Sequence, residues 1–179
     1  MLSHVDITNH VQGSFTDGQK TLIEPFHEDQ LQPASYDLRL DSRVLLYRED
    51  GLTTKENLDI PESGLQIYPG DFVLGVTVET VNVPETLAAR FEGKSSLGRS
   101  GLLSHITAGF VDPGFSGTLT VELACINPWG FVLYQGMRIG QICFFELDTP
   151  ASVGYGEKGH YQNQPNRPVE PNKSSYMPV

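Results

Sequence analysis

Cysteine, zinc-binding patterns, long apolar runs and positive charge are all scarce in this sequence, and each scarcity excludes something. Only two cysteines occur, Cys125 and Cys143, each inside an apolar run. They read as buried core thiols and offer neither a disulfide framework nor a zinc-ligand set. Lysine and arginine number 12 against 22 aspartates and glutamates, giving a net charge of −10. So acidic a chain lacks the basic footprint of a general nucleic-acid binder, although a few local cations suffice to hold one nucleotide. No apolar run approaches the roughly 20 residues of a membrane-crossing helix. The N-terminus shows no charged stretch followed by an apolar one, so no signal peptide is expected and a reducing cytoplasm is the expected setting. His4, His10, His27, His105 and His160 show no metal-ligand spacing. The His-x-Glu and Pro-Cys-x-x-Cys signature of zinc-dependent nucleobase deaminases is absent too. Any deaminase chemistry in this chain has to activate water without zinc.

Glycine and proline, by contrast, are plentiful, and they separate many short apolar runs. The 179 residues fit one domain with a substantial core. Residues 1–34 are mixed and polar, with a turn at Asp17-Gly18. Residues 35–47 read as one strand, with Tyr36, Leu38 and Leu40 alternating against Asp37, Arg39 and Asp41. Residues 48–63 are charged and read as an exposed loop. After the turn Pro69-Gly70-Asp71, residues 72–83 form a strong strand with Phe72, Leu74, Val76 and Val78 on one face. Residues 95–102 predict a helix capped by Ser95 or Ser96 and ended by Gly101. Residues 103–107, 118–126, 131–134 and 137–147 are strand-like, punctuated at Pro113-Gly114, Asn127-Pro128 and Gln135-Gly136. This is a mainly β pattern with one or two short helices, expected as a sandwich, jelly roll or barrel. From Pro150 to the end the composition cannot build a core, so residues 150–179 are expected as a mobile tail or a covering arm.

Four segments carry residues suited to chemistry. In Gly93-Lys94-Ser95-Ser96-Leu97-Gly98-Arg99, a cation and two hydroxyls stand at a predicted helix start, and Arg99 follows Ser95 by four residues on the same face. The segment reads as an anion site or as a capped surface helix with solvated charges. It lacks the glycine spacing of a P-loop. In Thr107-Ala108-Gly109-Phe110-Val111-Asp112-Pro113-Gly114-Phe115-Ser116-Gly117, the glycines permit a ligand to approach the backbone closely. Asp112 there can accept a bond from a sugar hydroxyl or open a turn. In residues 118–126, Leu119, Val121, Leu123 and Cys125 share one face, leaving Thr118, Thr120, Glu122, Ala124 and Ile126 on the other. That second face is small or polar around Glu122. A carboxylate there is expected to be paired, with Arg99 as candidate partner, or functional, or simply solvent-facing. Finally, Tyr155 and His160-Tyr161-Gln162-Asn163-Gln164 read as a polar tail or as an arm able to close over a ligand.

Taken in this order, the segments resemble the dCTP deaminase family, which shares its fold with the trimeric dUTPases. The resemblance runs from about Pro33 to Gln164 and rests on Pro33-Ala34-Ser35-Tyr36-Asp37-Leu38-Arg39-Leu40, Gly93 to Gly101, Thr107 to Gly117, Val121-Glu122-Leu123 and Gly136-Met137-Arg138-Ile139-Gly140-Gln141. It implies a homotrimer of distorted jelly-roll or β-barrel subunits with active sites at subunit interfaces. It also implies roles. Lys94, Ser95, Ser96, Leu97, Gly98 and Arg99 would hold the triphosphate. Asp112 would meet the deoxyribose. Thr107, Ala108, Thr120 and Val121 would read the pyrimidine. Gln141, Tyr155, His160, Tyr161 and Gln164 would complete the pocket. Glu122 would be the general base, with Ser95 and Arg99 positioning it and the water that attacks C4 of cytosine. Magnesium would ride on the triphosphate.

The run Ala108-Gly109-Phe110 resembles the bifunctional branch, which also cleaves the phosphate chain to give dUMP and pyrophosphate, whereas the monofunctional branch has a larger polar pair at 109 and 110. The resemblance makes dCTP and dUTP the expected substrates and dTTP a candidate feedback inhibitor. His160 stands where the family usually has lysine, with Lys158 close by, and Lys94 stands where some members have arginine. The competing expectations are a monofunctional deaminase, a dUTPase alone, and a non-catalytic nucleotide-binding β-module.

Overall fold

The computed structural model describes residues 1–13, 20–48 and 54–172. Its strands, in chain order, are β1 (Ile23–Glu24), β2 (Leu31–Gln32), β3 (Ser35–Arg39), β4 (Arg43–Arg48), β5 (Thr54–Asp59), β6 (Leu65–Ile67), β7 (Phe72–Asn82), β8 (Leu87–Gly93), β9 (Leu102–Leu103), β10 (Phe110–Val111), β11 (Ser116–Cys125), β12 (Phe131–Leu133) and β13 (Arg138–Glu146). Three α-helices join them among the described residues: α1 (His4–Gln12), α2 (Ser95–Arg99) and α3 (Tyr155–Lys158). One main sheet runs β5-β4-β7-β11-β9, with β1 also paired to β7, and the other runs β10-β8-β13-β3-β2. Both bury their inner faces in one core, where Tyr36, Leu38, Ile142 and Phe144 of the second sheet join Val73, Val81, Val121 and Leu123 of the first. The result is a distorted jelly roll with open sheet edges, not a closed barrel.

The predicted strand over 35–47 is in fact two strands in different sheets. Its alternation continues through Leu40, but Asp41 breaks the ladder. The Asp41 carboxylate accepts a bond from the Arg43 amide (3.0 Å) and from its guanidinium (2.8 and 3.1 Å). A side chain that binds the backbone two residues on makes a turn, and here the turn hands the chain from β3 to β4.

The predicted loop over 48–63 contains β5, an edge strand whose Lys55, Glu56, Asn57 and Asp59 are exposed. An edge strand that is charged in this way looks like a loop in sequence and resists pairing with other chains. The polar N-terminal region holds α1, begun by Ser3 and Asp6, whose side chains cap each other's backbone. The expected turn at Asp17-Gly18 lies outside the described residues.

The strands expected at 72–83, 118–126, 131–134 and 137–147 are present within a residue or two as β7, β11, β12 and β13. The strand expected over 103–107 is only β9, after which the chain turns into a loop. The helix expected over 95–102 is shorter, and its N-cap is Lys94 rather than a serine. Gly101, at φ +79°, ends that helical segment as expected, and a Cβ there would sit 2.7 Å from Asn127 Cβ.

Candidate active site

The outer face of β11 forms the floor of a cavity of about 560 Å³. The period-two reading of this strand holds from Leu119 onward, with Leu119, Val121, Leu123 and Cys125 buried and Thr120, Glu122 and Ala124 half-exposed, but Thr118, expected on the sparse face, is buried because the ladder shifts register between Thr118 and Thr120. Glu122 pairs across the ladder with Leu74, and Ala124 pairs with Phe72. One wall of the cavity is therefore apolar, with Tyr47 and Phe72 in ring contact at 5.6 Å. Glu122 Oε2 accepts a hydrogen bond from the Ile106 amide at 3.0 Å. Oε1 has no hydrogen-bond partner among the described residues. One oxygen thus fixes the carboxylate, and the other remains able to accept a proton.

Ala108, Gly109, Phe110 and Asp112 form a second wall. Gly109 lies tight against β8. Its carbonyl accepts from the Phe91 amide at 2.7 Å, and an added Cβ would stand 2.5 Å from Phe91 O. A larger residue at 109 would have to shift this loop away from β8. His105, which has no role in the sequence reading, also lines the cavity. Its Nδ1 is buried with no hydrogen-bond partner, and its ring meets Phe91 edge-on at 6.0 Å. A lone histidine in a loop gives no periodic signal that would have marked it.

Residues 162–169 of the C-terminal segment lie along β11 and the turn before it. Asn163 N donates to Ser116 O (2.8 Å), and Gln162 Nε2 donates to Gly114 O (2.9 Å). Thr120 Oγ1 donates to Gln164 Oε1 (2.8 Å) and accepts from Val169 N (3.2 Å), so one hydroxyl stitches two passes of the arm onto β11. Close approach requires glycine at the contact points: a Cβ on Gly117 would meet Gln164 N at 2.8 Å, and one on Gly114 would meet Gly154 Cα at 2.8 Å. Tyr155 stacks edge-on against Phe115 at 5.5 Å, and Tyr161 N donates to its hydroxyl. Burial pushes the Tyr155 phenol above its usual value, against the bond from Tyr161. A smaller cavity of about 440 Å³ shares Asp112 and Tyr155 with the first and is lined also by Lys158 and His160. The expected stand-ins for a tail lysine thus line one cavity.

Several expected site residues lie elsewhere in the chain. Thr107 is exposed and off the cavity lining. None of residues 94–99 lines the cavity or bonds to Glu122. Ser95, Ser96, Gly98 and Arg99 are exposed on α2, Leu97 is half-buried, and Arg99 makes no ion pair among the described residues. The expected Arg99–Glu122 pair is absent within the chain, because Glu122 is held by Ile106 while α2 packs on β9. Lys94 turns away to Asp37, with Nζ 2.5 Å from Oδ1. Gln141 also stays off the cavity: its Nε2 donates to Gly93 O (3.2 Å), and its Oε1 accepts from Ser35 Oγ (2.7 Å).

By fold, the chain is a mainly β protein of the distorted jelly-roll type. Among solved structures, the 2'-deoxycytidine 5'-triphosphate deaminase from Agrobacterium tumefaciens superposes with a TM-score of 0.63 at 22% identity, covering 80% of this chain and 46% of that one. This chain thus spans about half the length of that chain, and the likeness is one of fold. Sequence comparison goes further. The dCTP deaminase-like family model matches residues 1–147. The protein named "dCTP deaminase, dUMP-forming" in Pseudarthrobacter chlorophenolicus is 44% identical over 160 residues, 83% of each chain. Proteins of the same name in Bifidobacterium animalis subsp. lactis and Tropheryma whipplei are 41% and 43% identical, each over 92% of this chain and over 90% and 88% of their own. The chain belongs to the dCTP deaminase-like family.

Proposed function

We propose that the protein hydrolyses dCTP to dUMP, ammonia and diphosphate. The observation that carries this reading is the Glu122 carboxylate, pinned through Oε2 by the Ile106 amide on the floor of a nucleotide-sized cavity, with Oε1 unpartnered. Oε1 takes a proton from water as the oxygen attacks C4 of cytosine, then delivers it to the departing amino group. The C4–N bond breaks and ammonia leaves. A second water attacks the α-phosphorus, and the α–β bridging oxygen leaves with the diphosphate. Across both steps, dCTP and two waters give dUMP, ammonia and diphosphate, and dUTP enters at the second step. The names of the relatives, shared at 41–44% identity over most of the chain, support this dUMP-forming route.

Each site is completed by a neighbouring copy in a homotrimer. The cavity of one chain lacks the 94–99 segment, and Ile106 (49%) beside Glu122 and Phe110 (62%) on the cavity wall leave apolar surface exposed at its rim. A patch of this kind on a soluble chain marks an interface. Across it, Ser95, Ser96 and Arg99 of the neighbour reach the triphosphate and the attacking water. Within the chain, Asp112 meets the deoxyribose, Ala108, Thr120 and Gln164 frame the base, and Lys158 and His160 face the end of the phosphate chain. Among the described residues no cluster of three or more His, Cys, Asp or Glu could seat a metal ion. Magnesium is carried by the phosphate oxygens and water. dTTP has the same sugar and phosphates and competes for the cavity as a feedback inhibitor. Among the described residues no helix is long and apolar enough to cross a membrane. With a net charge of −10, a free nucleotide in the cytoplasm suits the surface better than a nucleic acid does.

Incubation with dCTP and magnesium, resolving ammonia, dUTP, dUMP and diphosphate, tests the reaction. Ammonia and dUMP in equal amounts are expected. Accumulating dUTP would assign the monofunctional reaction, and turnover of dUTP alone would leave a dUTPase. Light scattering of the purified protein tests the trimer.

A further inference from the structure

Lys94 and Gln141, two of the expected pocket residues that lie off the cavity, meet at one place, the junction where β8 becomes α2. The register of β3, β13 and β8 puts Asp37, Gln141 and Glu92 in one row across three adjacent strands. The chain leaves β8 at Gly93, and Lys94 caps α2 without a side-chain cap bond. Its ammonium instead reaches Asp37, 57 residues away, at 2.5 Å. Asp37 is almost wholly buried (1%) and also receives Gln32 Nε2 at 3.3 Å and Arg138 Nη1 at 3.5 Å. Arg138 is paired in turn with Asp29 at 2.6 Å. Gln141 holds the preceding Gly93 carbonyl. The junction is thus tied to the sheet twice, once through each residue.

The charges of this cluster balance, with Lys94 and Arg138 set against Asp37 and Asp29. A buried carboxylate can hold a cation in one place, because an unpaired charge there is costly. Arg99, exposed and without an ion pair among the described residues, is the cation of the segment left free for substrate.

We infer that Asp37 is a positioning residue: acting through Lys94, it fixes the β8–α2 junction and so sets where Ser95 and Arg99 are presented to the neighbouring copy's site. The inference rests on the proposed function, in which residues 94–99 serve the substrate. It makes Lys94 a strut more than a phosphate ligand. A shift of about 1 Å in a positioning group can lower turnover about 100-fold.

The test compares the full-length wild type with Asp37→Asn, Lys94→Met, the double variant and Lys94→Arg, measuring kcat, KM for dCTP and Tm. Each single change is expected to lower kcat about 10- to 100-fold while KM moves less than about threefold. The double variant, which removes both charges and leaves neither buried alone, should be no slower than the worse single, because groups that act as a unit are not additive. Lys94→Arg should keep most of the turnover. A double variant as slow as the product of the singles would overturn the inference. So would an Asp37→Asn protein with lowered Tm but wild-type kcat per folded molecule, which would make Asp37 merely structural. So would a Lys94→Met protein that loses mainly KM, which would return Lys94 to the phosphates. A wild type that releases no ammonia from dCTP would sink the proposed function and this inference together, whereas wild-type turnover with an uncoupled pair sinks only the inference.

Discussion

Replacing Glu122 by glutamine isolates the proposed chemistry from the architecture. The amide has the shape of the carboxylate, and its oxygen can still accept from the Ile106 amide, which now lies 3.0 Å from Oε2. What disappears is the group able to take a proton from water. A positioned general base contributes about 10²- to 10⁴-fold, which corresponds to roughly 3–5 kcal/mol in the barrier. Ammonia release in a single turnover should therefore fall by at least about 100-fold. Binding of dCTP, followed by calorimetry, should stay within about threefold, because Thr120, Gln164 and Asp112 are untouched. The melting temperature should hold, since the half-exposed side chain keeps its one hydrogen bond. Comparable turnover by the variant would remove Glu122 from the mechanism. Loss of binding alongside loss of turnover would make the carboxylate a substrate ligand instead of a base.

Gly109→Ala should destabilise the fold by about 1–3 kcal/mol in thermal or denaturant unfolding, because its Cβ would stand 2.5 Å from Phe91 O; an unchanged midpoint would show that the loop yields freely. Thr120→Val removes the hydroxyl that holds both Gln164 and Val169, so limited proteolysis should cut the arm faster, and an unchanged cleavage rate would show that the arm is held by its other contacts. Acid should weaken the fold through Asp71 and Asp41. The Arg48 guanidinium bonded to Asp71 holds its carboxyl below the usual value. At Asp41, burial works in the opposite direction, but the bonds from Arg43 prevail and the carboxyl is again lowered. A carboxyl lowered in the folded state contributes stability above its unfolded value near pH 4 (about 3.9), and that contribution is lost as the pH falls through the folded value. Tm should accordingly drop below about pH 4, and Asp71→Asn should flatten part of that drop; an identical pH profile in the variant would count against the Arg48–Asp71 contribution.

How much of this was legible in the sequence depended on the range of the interactions. β11 was legible because it is half-buried, so that burial alternates residue by residue and Glu122 falls on the sparse face. β3 and β4 merged into one predicted strand because the alternation runs through Leu40, and the break is made by a carboxylate binding back to Arg43. The capping signal of α1, Ser3 with Asp6, is local and was present in the sequence, but polar neighbours masked it. β5 stayed hidden because a charged edge strand and a loop have the same composition. For the C-terminal segment, composition excluded a core of its own and favoured a free polar tail over a cover. The contacts of residues 162–169 depend on Gly114, Gly117 and Thr120, which let a distant backbone approach and bond. The 94–99 segment was the least legible. Its residues were found from their types and spacing, but their placement is set by Asp37 and Gln141, in strands 57 and 48 residues away. A motif can therefore name the groups that serve a reaction, while the geometry in which they serve is written in residues that no local pattern connects to it.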